Sequence, residues 1–496
     1  MNLAHIIEGH PSDHVAIISR GVETSYGQLV EQVACVRGGL AHLGVSRGDR
    51  VALICGNGRY FVETYLAVLG LGAVVVPLNP QSPALEIERE ISTVGATVVL
   101  VEPAASAAWK AVDSALIPSV RHVIATEPIG LDVGLHFQDL ISAAPVDIVE
   151  VDDDALAALM FTSGTAGSPR AAMLSHGNLL ANIEQGRSSA APITTDDVVY
   201  GVLPLFHIFG LNVMLGLSLA NGASVVLVQR FDPSTALDTI RQRKVTVIPG
   251  APPLWLDFSR FDEAPADSFA GVRLALTGAA KMPEEAIRRL EQRFGLKLAE
   301  GYGLTEASPV VTSSAGLPLK VGSVGKVLDG ITVRLVDGAG DDVLRGDAGE
   351  IWVKGPNVFQ GYLDDPEQTA RVLTPDGWLR TGDIAVTDDD GYLYLVDRAK
   401  DLIIVSGFNV YPAEVEEAIA EHPAVAEVGV AGVAHPHSGE AVKAWVVVRD
   451  GSTVDEDTLI AWCNDRLARY KCPAKVLFVD QLPRNVSGKL LRRLLS

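Results

Sequence analysis

The chain has 496 residues, 61 Asp and Glu against 40 Lys and Arg, and a formal net charge of −21, a balance that disfavours a basic nucleic-acid binder. With 48% hydrophobic and 20% charged residues it is neither disordered nor collagen-like, and it can bury large cores in more than one domain. Cys35, Cys55, Cys463 and Cys472 form no Cys-x-x-Cys pair, and the first residues carry no basic segment followed by an apolar run, so the expected compartment is the cytoplasm.

In chain order, β-branched runs, Gly/Pro/Asn breaks and longer amphipathic segments alternate. Val51–Cys55 precedes Gly56-Asn57-Gly58 and a predicted helix over Phe61–Leu71. Val74–Pro77, a helix from Pro83 to Val94 and a strand at Thr97–Val101 follow. The rhythm returns at Ser224–Val228, Thr246–Ile248 and Arg273–Thr277 and predicts β/α units around largely parallel sheets. Between Asp197 and Arg230 no charged side chain occurs. Pro204, Asn212, Asn221 and four glycines break the stretch, which predicts buried core elements rather than a membrane span. After about Leu317, short runs such as Val333–Val336 and Gly349–Val353 predict a small β subdomain. Glu414–Ala420, Val425–Val430, Lys443–Val448, Thr458–Leu467 and Ala474–Val479 predict a compact α+β unit at the end. The fold class expected is therefore α/β, with a large N-terminal domain of β/α subdomains plus a small α+β domain, divided at 1–397 and 398–496. From Arg398 onward the chain holds 12 Lys and Arg against 13 Asp and Glu, so nearly all the acidity belongs to the first part. Eight of those basic residues fall between Arg466 and Ser496, a local surface suited to an anion.

Four short segments carry chemistry. Thr162-Ser163-Gly164-Thr165-Ala166-Gly167-Ser168-Pro169-Arg170 follows an apolar strand, and its hydroxyls, glycines and terminal cation suit a loop whose backbone N–H groups cradle phosphates. It lacks the Gly-x-x-x-x-Gly-Lys-Ser/Thr pattern of a Walker loop. Gly301-Tyr302-Gly303-Leu304-Thr305-Glu306 is expected to make a sharp bend, with Tyr302 suited to stacking on a base and Glu306 to holding Mg²⁺ beside phosphates. Asp383, in Gly377-Trp378-Leu379-Arg380-Thr381-Gly382-Asp383, is expected to be buried and suits two ribose hydroxyls. Pro483-Arg484-Asn485-Val486-Ser487-Gly488-Lys489 places a lysine where it can neutralise charge developing on a carboxylate or phosphate. No His-Glu-x-x-His and no Gly-x-Ser-x-Gly is present, which removes the signatures of zinc proteases and α/β-hydrolases.

Together these motifs resemble the adenylate-forming (ANL) superfamily of acyl-CoA synthetases, adenylation domains and luciferases, in the family's order along nearly the whole chain. The resemblance implies that Thr162, Ser163, Gly164, Thr165 and Arg170 bind ATP phosphates. It makes Gly278, Ala279, Ala280 and Gly301, Tyr302, Gly303 and Thr305 an AMP site, and Asp383 and Arg398 the ribose contacts. Phe206, His207 and Ala279 match the acyl site, Ser406, Gly407 and Phe408 the coenzyme A channel, and Lys400 the hinge. Lys489, Thr305 and Glu306 match the catalytic set, with Glu306 on the metal. The segment Val405–Glu414 looks most like bacterial fatty-acyl-CoA synthetases, whose reaction joins a fatty acid to CoA through an acyl-adenylate. ATP and CoA are then co-substrates and Mg²⁺ the cofactor, with a homodimer and a peripheral membrane contact as further expectations. The compact stretch from Gly322 to Gly361 speaks against an acyl-AMP ligase, which typically carries an insertion there. One departure stands out, since the family's Thr-Ser-Gly-Thr-Thr-Gly-x-Pro-Lys-Gly has Ala166, Arg170 and Ala171 here in place of Thr, Lys and Gly. Arg keeps the charge but is bulkier and planar, so altered ATP affinity is expected. An acyl-AMP ligase, disfavoured as above, another carboxylic-acid CoA ligase and a non-catalytic nucleotide- or lipid-binding relative are the alternatives.

Overall fold

The computed structural model describes the chain except residues 128–133, 163–169, 280–281, 283, 399–402, 411, 484–494 and 496, and the side chains of 396–398, 409 and 413. Its architecture is mixed α/β. One sheet runs in the order Gly134–His136, His122–Ala125, Val98–Val101, Arg50–Ile54, Val74–Leu78, Leu156–Thr162 and Arg170–Ser175; all neighbours are parallel except the last pair. The central strands Val74–Leu78 and Val98–Val101 are buried throughout, as continuous Val/Leu runs in a parallel sheet require.

A second sheet has the order Lys326–Val327, Val310–Ser313, Leu298–Gly303, Leu274–Thr277, Val247–Gly250, Val198–Gly201, Ser224–Leu227, Val15–Ser19 and Val22–Ser25, parallel inside and antiparallel at both edges. The uncharged stretch after Asp197 supplies two of its strands and, between them, the π-helical turn Phe209–Gly216, buried but for its first residue. Among the described residues no helix is long and apolar enough to cross a membrane. An antiparallel four-stranded sheet follows: Thr332–Val336, Gly349–Lys354, Leu379–Thr387 and Leu393–Arg398. The chain then enters a separate sheet built from Ile403–Val405, Phe408–Val410, Val425–His435, Gly439–Val448 and Lys475–Phe478. That sheet has its own core around Val415, Ile419, Val430, Val446 and Leu459.

Buried asparagines tie the loops between these layers. Asn57 donates to Gly201 O and Leu203 O, both at 2.9 Å, and accepts from Leu205 N at 3.0 Å, holding the segment that leads to Phe206. Asn212 donates to Ser308 O at 2.8 Å, and Asn182 exchanges bonds with both backbone groups of Val310. Each satisfies loop groups that would otherwise be buried without partners.

Glu63, on the helix Arg59–Gly70, is wholly buried, and neither carboxyl oxygen has a hydrogen-bond partner among the described residues. Burial raises its carboxyl to about 7, against the pull of Arg59. The native state thus keeps a proton that the unfolded chain loses near its ordinary value of 4.5. The stability this group contributes is present below the unfolded value and is lost as pH rises through about 7, on the order of 3 kcal/mol in all. Glu63→Gln is therefore expected to unfold at higher denaturant than wild type at pH 8 and at the same denaturant near pH 4.5. Parallel pH profiles for the two proteins would contradict this.

Candidate active site

The phosphate-loop motif closes a hairpin. Leu156–Thr162 and Arg170–Ser175 pair antiparallel with Thr162 opposite Arg170, so the two described ends of the motif are held as cross-strand neighbours. The Arg170 side chain, 12% exposed, makes an ion pair from Nε to Asp365 Oδ2 at 3.4 Å, and its guanidinium lies 5.7 Å from the Tyr362 ring centre. The Tyr362 hydroxyl in turn donates to Glu306 Oε1 at 2.6 Å. A line of contacts therefore joins the arginine of the phosphate loop to the carboxylate expected near the metal. Tyr362 and Asp365 were not singled out from the sequence; the Tyr-Leu-Asp-Asp-Pro run before the helix Pro366–Val372 gave no local sign of a site.

Gly301 and Gly303 both lie within the strand Leu298–Gly303, whose pairing shifts register between Tyr302 and Gly303, and the expected sharp bend lies beyond them. The left-handed residue is Ser308, at φ 69°, just after the short turn Thr305–Ala307. The glycines serve close approach instead. A Cβ on Gly303 would sit 2.2 Å from Pro309 O, and one on Gly301 would sit 3.0 Å from Thr312 O, both on the returning chain.

Tyr302, buried between them, donates through its hydroxyl to Asp383 Oδ2 at 2.7 Å. The base-side and ribose-side residues read from the sequence thus meet directly. Asp383 is half-buried rather than buried, because the strand Leu379–Thr387 seals Leu379, Gly382 and Ala385 and leaves the residues between them partly open. Its place is fixed by local bonds: Asp383 N to Thr381 Oγ1 at 3.1 Å, Thr381 Oγ1 to Ile351 O at 2.8 Å, and Gly382 N to Glu350 Oε1 at 2.9 Å. Arg398 is the cross-strand partner of Asp383, which sets the two backbones side by side; the Arg398 side chain lies outside the described residues.

Residues expected at the acyl and CoA sites meet in one aromatic group. Phe408 stacks on Phe206 with ring centres 6.3 Å apart, meets His207 edge-on at 5.7 Å, and stacks on Tyr470 at 4.4 Å. Desolvation lowers the His207 imidazole to about 4, so it is neutral at physiological pH, and Nδ1 accepts from Phe209 N at 3.2 Å. Ser406 and Gly407, at φ 53° and 85°, form the two-residue turn between Ile403–Val405 and Phe408–Val410, a turn in which both residues need positive φ. A Cβ on Gly407 would come within 3.2 Å of the Ala279 Cβ and 3.4 Å of the Ala251 Cβ. The C-terminal sheet therefore presses its turn directly onto the large part, beside Gly278. A Cβ on Gly278 would in turn meet the Phe209 ring and Gly301 O at 3.5 Å. Ser163, Gly164, Thr165, Ala280, Lys400 and Lys489 lie outside the described residues.

Among the described residues no group of three His, Cys, Asp or Glu side chains is arranged to hold a metal. Glu306 offers a single carboxylate that already accepts from Tyr362. That donor set fits Mg²⁺ carried mainly by substrate phosphates, which keeps its waters and takes one or two carboxylates.

A family model described as AMP-binding enzyme matches residues 3–363, and one described as AMP-binding enzyme C-terminal domain matches residues 414–489. The chain is 38% identical to a feruloyl-CoA synthase of Amycolatopsis sp, covering 96% of this chain and 94% of that one. It is 34% identical to a long-chain-fatty-acid–CoA ligase of Bacillus subtilis, covering 97% and 91%. An o-succinylbenzoate CoA synthetase from Bacillus subtilis, solved bound with its product analogue, superposes with a TM-score of 0.88 at 29% identity, covering 100% of this chain and 97% of that one.

Proposed function

Because the chain belongs to the AMP-binding enzyme family, we infer that it is an AMP-forming acid–CoA ligase, and we propose a medium- or long-chain fatty acid as its acid. The observation that carries the apolar substrate is the segment from Val198 to Gln229. It holds no charged side chain, yet it delivers Phe209 to Gly278, and Phe206 and His207 to Phe408 of the turn that packs on Ala279. A site of that composition has little to bond a polar tail and much to gain from burying an apolar one. A second reading, a hydroxycinnamate-type acid, is favoured by the feruloyl-CoA synthase at 38% identity and by the aromatic group around Phe408, which suits a flat ring.

The proposed reaction has two steps. The acid's carboxylate attacks the α-phosphorus of ATP and pyrophosphate leaves, giving an acyl-adenylate. The CoA sulfur then attacks the acyl carbonyl and AMP leaves. In the first step two anions must meet, so positioning and cations do most of the work. Tyr302 aims Asp383 at the ribose, and Arg170, braced by Asp365 and Tyr362, stands at the phosphate end. Lys489 is proposed to approach the reacting oxygens. Mg²⁺ held by Glu306 would neutralise phosphate charge. The proposal includes two placements of the C-terminal domain hinged at Lys400, one bringing Lys489 in and one bringing Gly407 and Phe408 against the acyl site, the second supported by the packing of Gly407 on Ala279 and of Phe408 on Phe206. A cytoplasmic location belongs to the same reading and is supported by four unpaired cysteines.

The deciding measurement is acid-dependent ATP–pyrophosphate exchange over straight-chain acids of graded length and hydroxycinnamic acids. Exchange that peaks on a medium or long straight chain supports the first reading, and a peak on hydroxycinnamates replaces it with the second. Absence of exchange with every acid would return the chain to a non-catalytic binder.

A further inference from the structure

Behind the aromatic group, an ion cluster is buried where the two parts of the chain meet. Lys471, which ends the short turn Arg469–Lys471, donates to Glu86 Oε1 at 2.7 Å and to Glu414 Oε1 at 2.9 Å. Glu86 lies on the helix Ala84–Val94 of the large part, and Glu414 on the helix Pro412–Ala420 of the C-terminal domain. All three side chains are about 5% exposed. Glu90, one turn beyond Glu86, is buried beside them, and burial together with Glu86 pushes its carboxyl well above the ordinary range. Burial disfavours the Lys471 ammonium, but Glu86, Tyr470 and Glu414 outweigh it and hold the charge.

Other polar contacts between the two parts are wetter. Arg89 reaches Glu421 at 3.5 Å and His437 reaches Asp257 at 3.3 Å, each with a side chain close to half exposed. Arg260 donates to Pro436 O from the surface. Pairs of that kind contribute little. The Glu86–Lys471 pair is the interdomain ion pair sealed from water among the described residues, and removing one partner of such a pair leaves the other charged and buried.

Its location gives the pair a consequence for the site. Lys471 directly follows Tyr470, whose ring stacks on Phe408 at 4.4 Å, and Phe408 is the ring laid against Phe206 and His207. A bond anchoring Lys471 to the large part therefore also fixes the back of the aromatic group.

We propose that Glu86 and Lys471 are positioning residues for thioester formation, their ion pair setting the placement of the C-terminal domain in which Phe408 closes on Phe206 and His207. This rests on the acid–CoA ligase reading with two placements of that domain. Glu414 keeps Lys471 paired within the C-terminal domain in either placement, so that only the bond to Glu86 is made and broken.

The test measures the two steps separately in the full-length protein. One assay is pyrophosphate exchange with the acid that wild type activates best; the other is CoA thioester formation from that acid's synthetic acyl-adenylate. Glu86→Gln keeps the size of the side chain and removes its charge. It is expected to leave exchange within about twofold of wild type and to slow thioester formation about tenfold, while Glu86→Asp recovers part of the rate. Lys471→Gln, read by the same ratio of the two steps, serves if Glu86→Gln does not fold. Equal losses in both steps, or thioester formation at the wild-type rate, would overturn the positioning role and leave the ligase reading intact. Wild type without exchange on any acid would overturn both.

Discussion

Asp383→Ala is expected to raise the apparent ATP constant in pyrophosphate exchange by about 100-fold and to lower the maximal rate much less. The carboxylate is proposed to accept both ribose hydroxyls, each a charge-assisted bond contributing about 1.5 kcal/mol or more, so about 3 kcal/mol of binding is at stake. The ribose lies away from the reacting phosphorus, and binding lost there weakens ground state and transition state alike, which appears in the constant rather than the rate. The structure makes the carboxylate's aim specific. Tyr302 holds Oδ2 at 2.7 Å, and the backbone leading into Asp383 is fixed through Thr381, Ile351 and Glu350. Tyr302→Phe should therefore produce a smaller change in the same constant, about threefold, because the remaining bonds still hold the strand. An Asp383→Ala protein with an unaltered ATP constant would remove the residue from the nucleotide site.

The contrast between Asp383 and Tyr362 indicates what the sequence made legible. Strands such as Val74–Leu78 and the helix Ala84–Val94 were readable because their signals are local: β-branched runs, Gly/Pro/Asn breaks and longer amphipathic segments. Motif residues were readable for the same reason, each motif being a few consecutive positions. The partners of those motifs are not local. Tyr362 reaches Glu306 across 56 residues, Tyr302 reaches Asp383 across 81, and Lys471 reaches Glu86 across 385. No spacing rule connects them. The asparagines lie between these extremes. Asn212 interrupted an apolar stretch and so argued against a membrane span, but its task of bonding Ser308 O could only be seen once the chain was folded. At Gly301 and Gly303 the reading named the right residues for the wrong reason, since a glycine that permits a turn and one that permits close approach look alike in sequence. The acid's identity was the least legible feature, because apolar and aromatic side chains line a fatty or an aryl pocket equally well.

The second large effect is expected at Gly407. A valine there would take a β-branched residue to φ 85°, a conformation rarely adopted by such side chains. Its Cβ would lie 3.2 Å from the Ala279 Cβ and 3.4 Å from the Ala251 Cβ, with two further methyl groups still to place. The two penalties act differently on the proposed placements. Backbone strain in the Ser406–Gly407 turn, about 1–2 kcal/mol, is present wherever the C-terminal domain sits and so lowers overall stability. The collision with Ala279 and Ala251 exists only when the turn is pressed on the large part, and overpacking of that kind costs about 1–3 kcal/mol. Gly407→Val is therefore expected to slow CoA thioester formation from supplied acyl-adenylate by about 100-fold, with pyrophosphate exchange changed no more than about twofold. Gly407→Ala, whose single Cβ sits only a few tenths of an ångström too close, should fall between, near tenfold. Measured unfolding of both variants separates the common strain from the placement-specific clash, since only the clash can divide the two steps. If Gly407→Val loses both steps together while remaining folded, the turn does not act by closing on Ala279. If it loses neither, the placement described here is not the one in which the thioester forms.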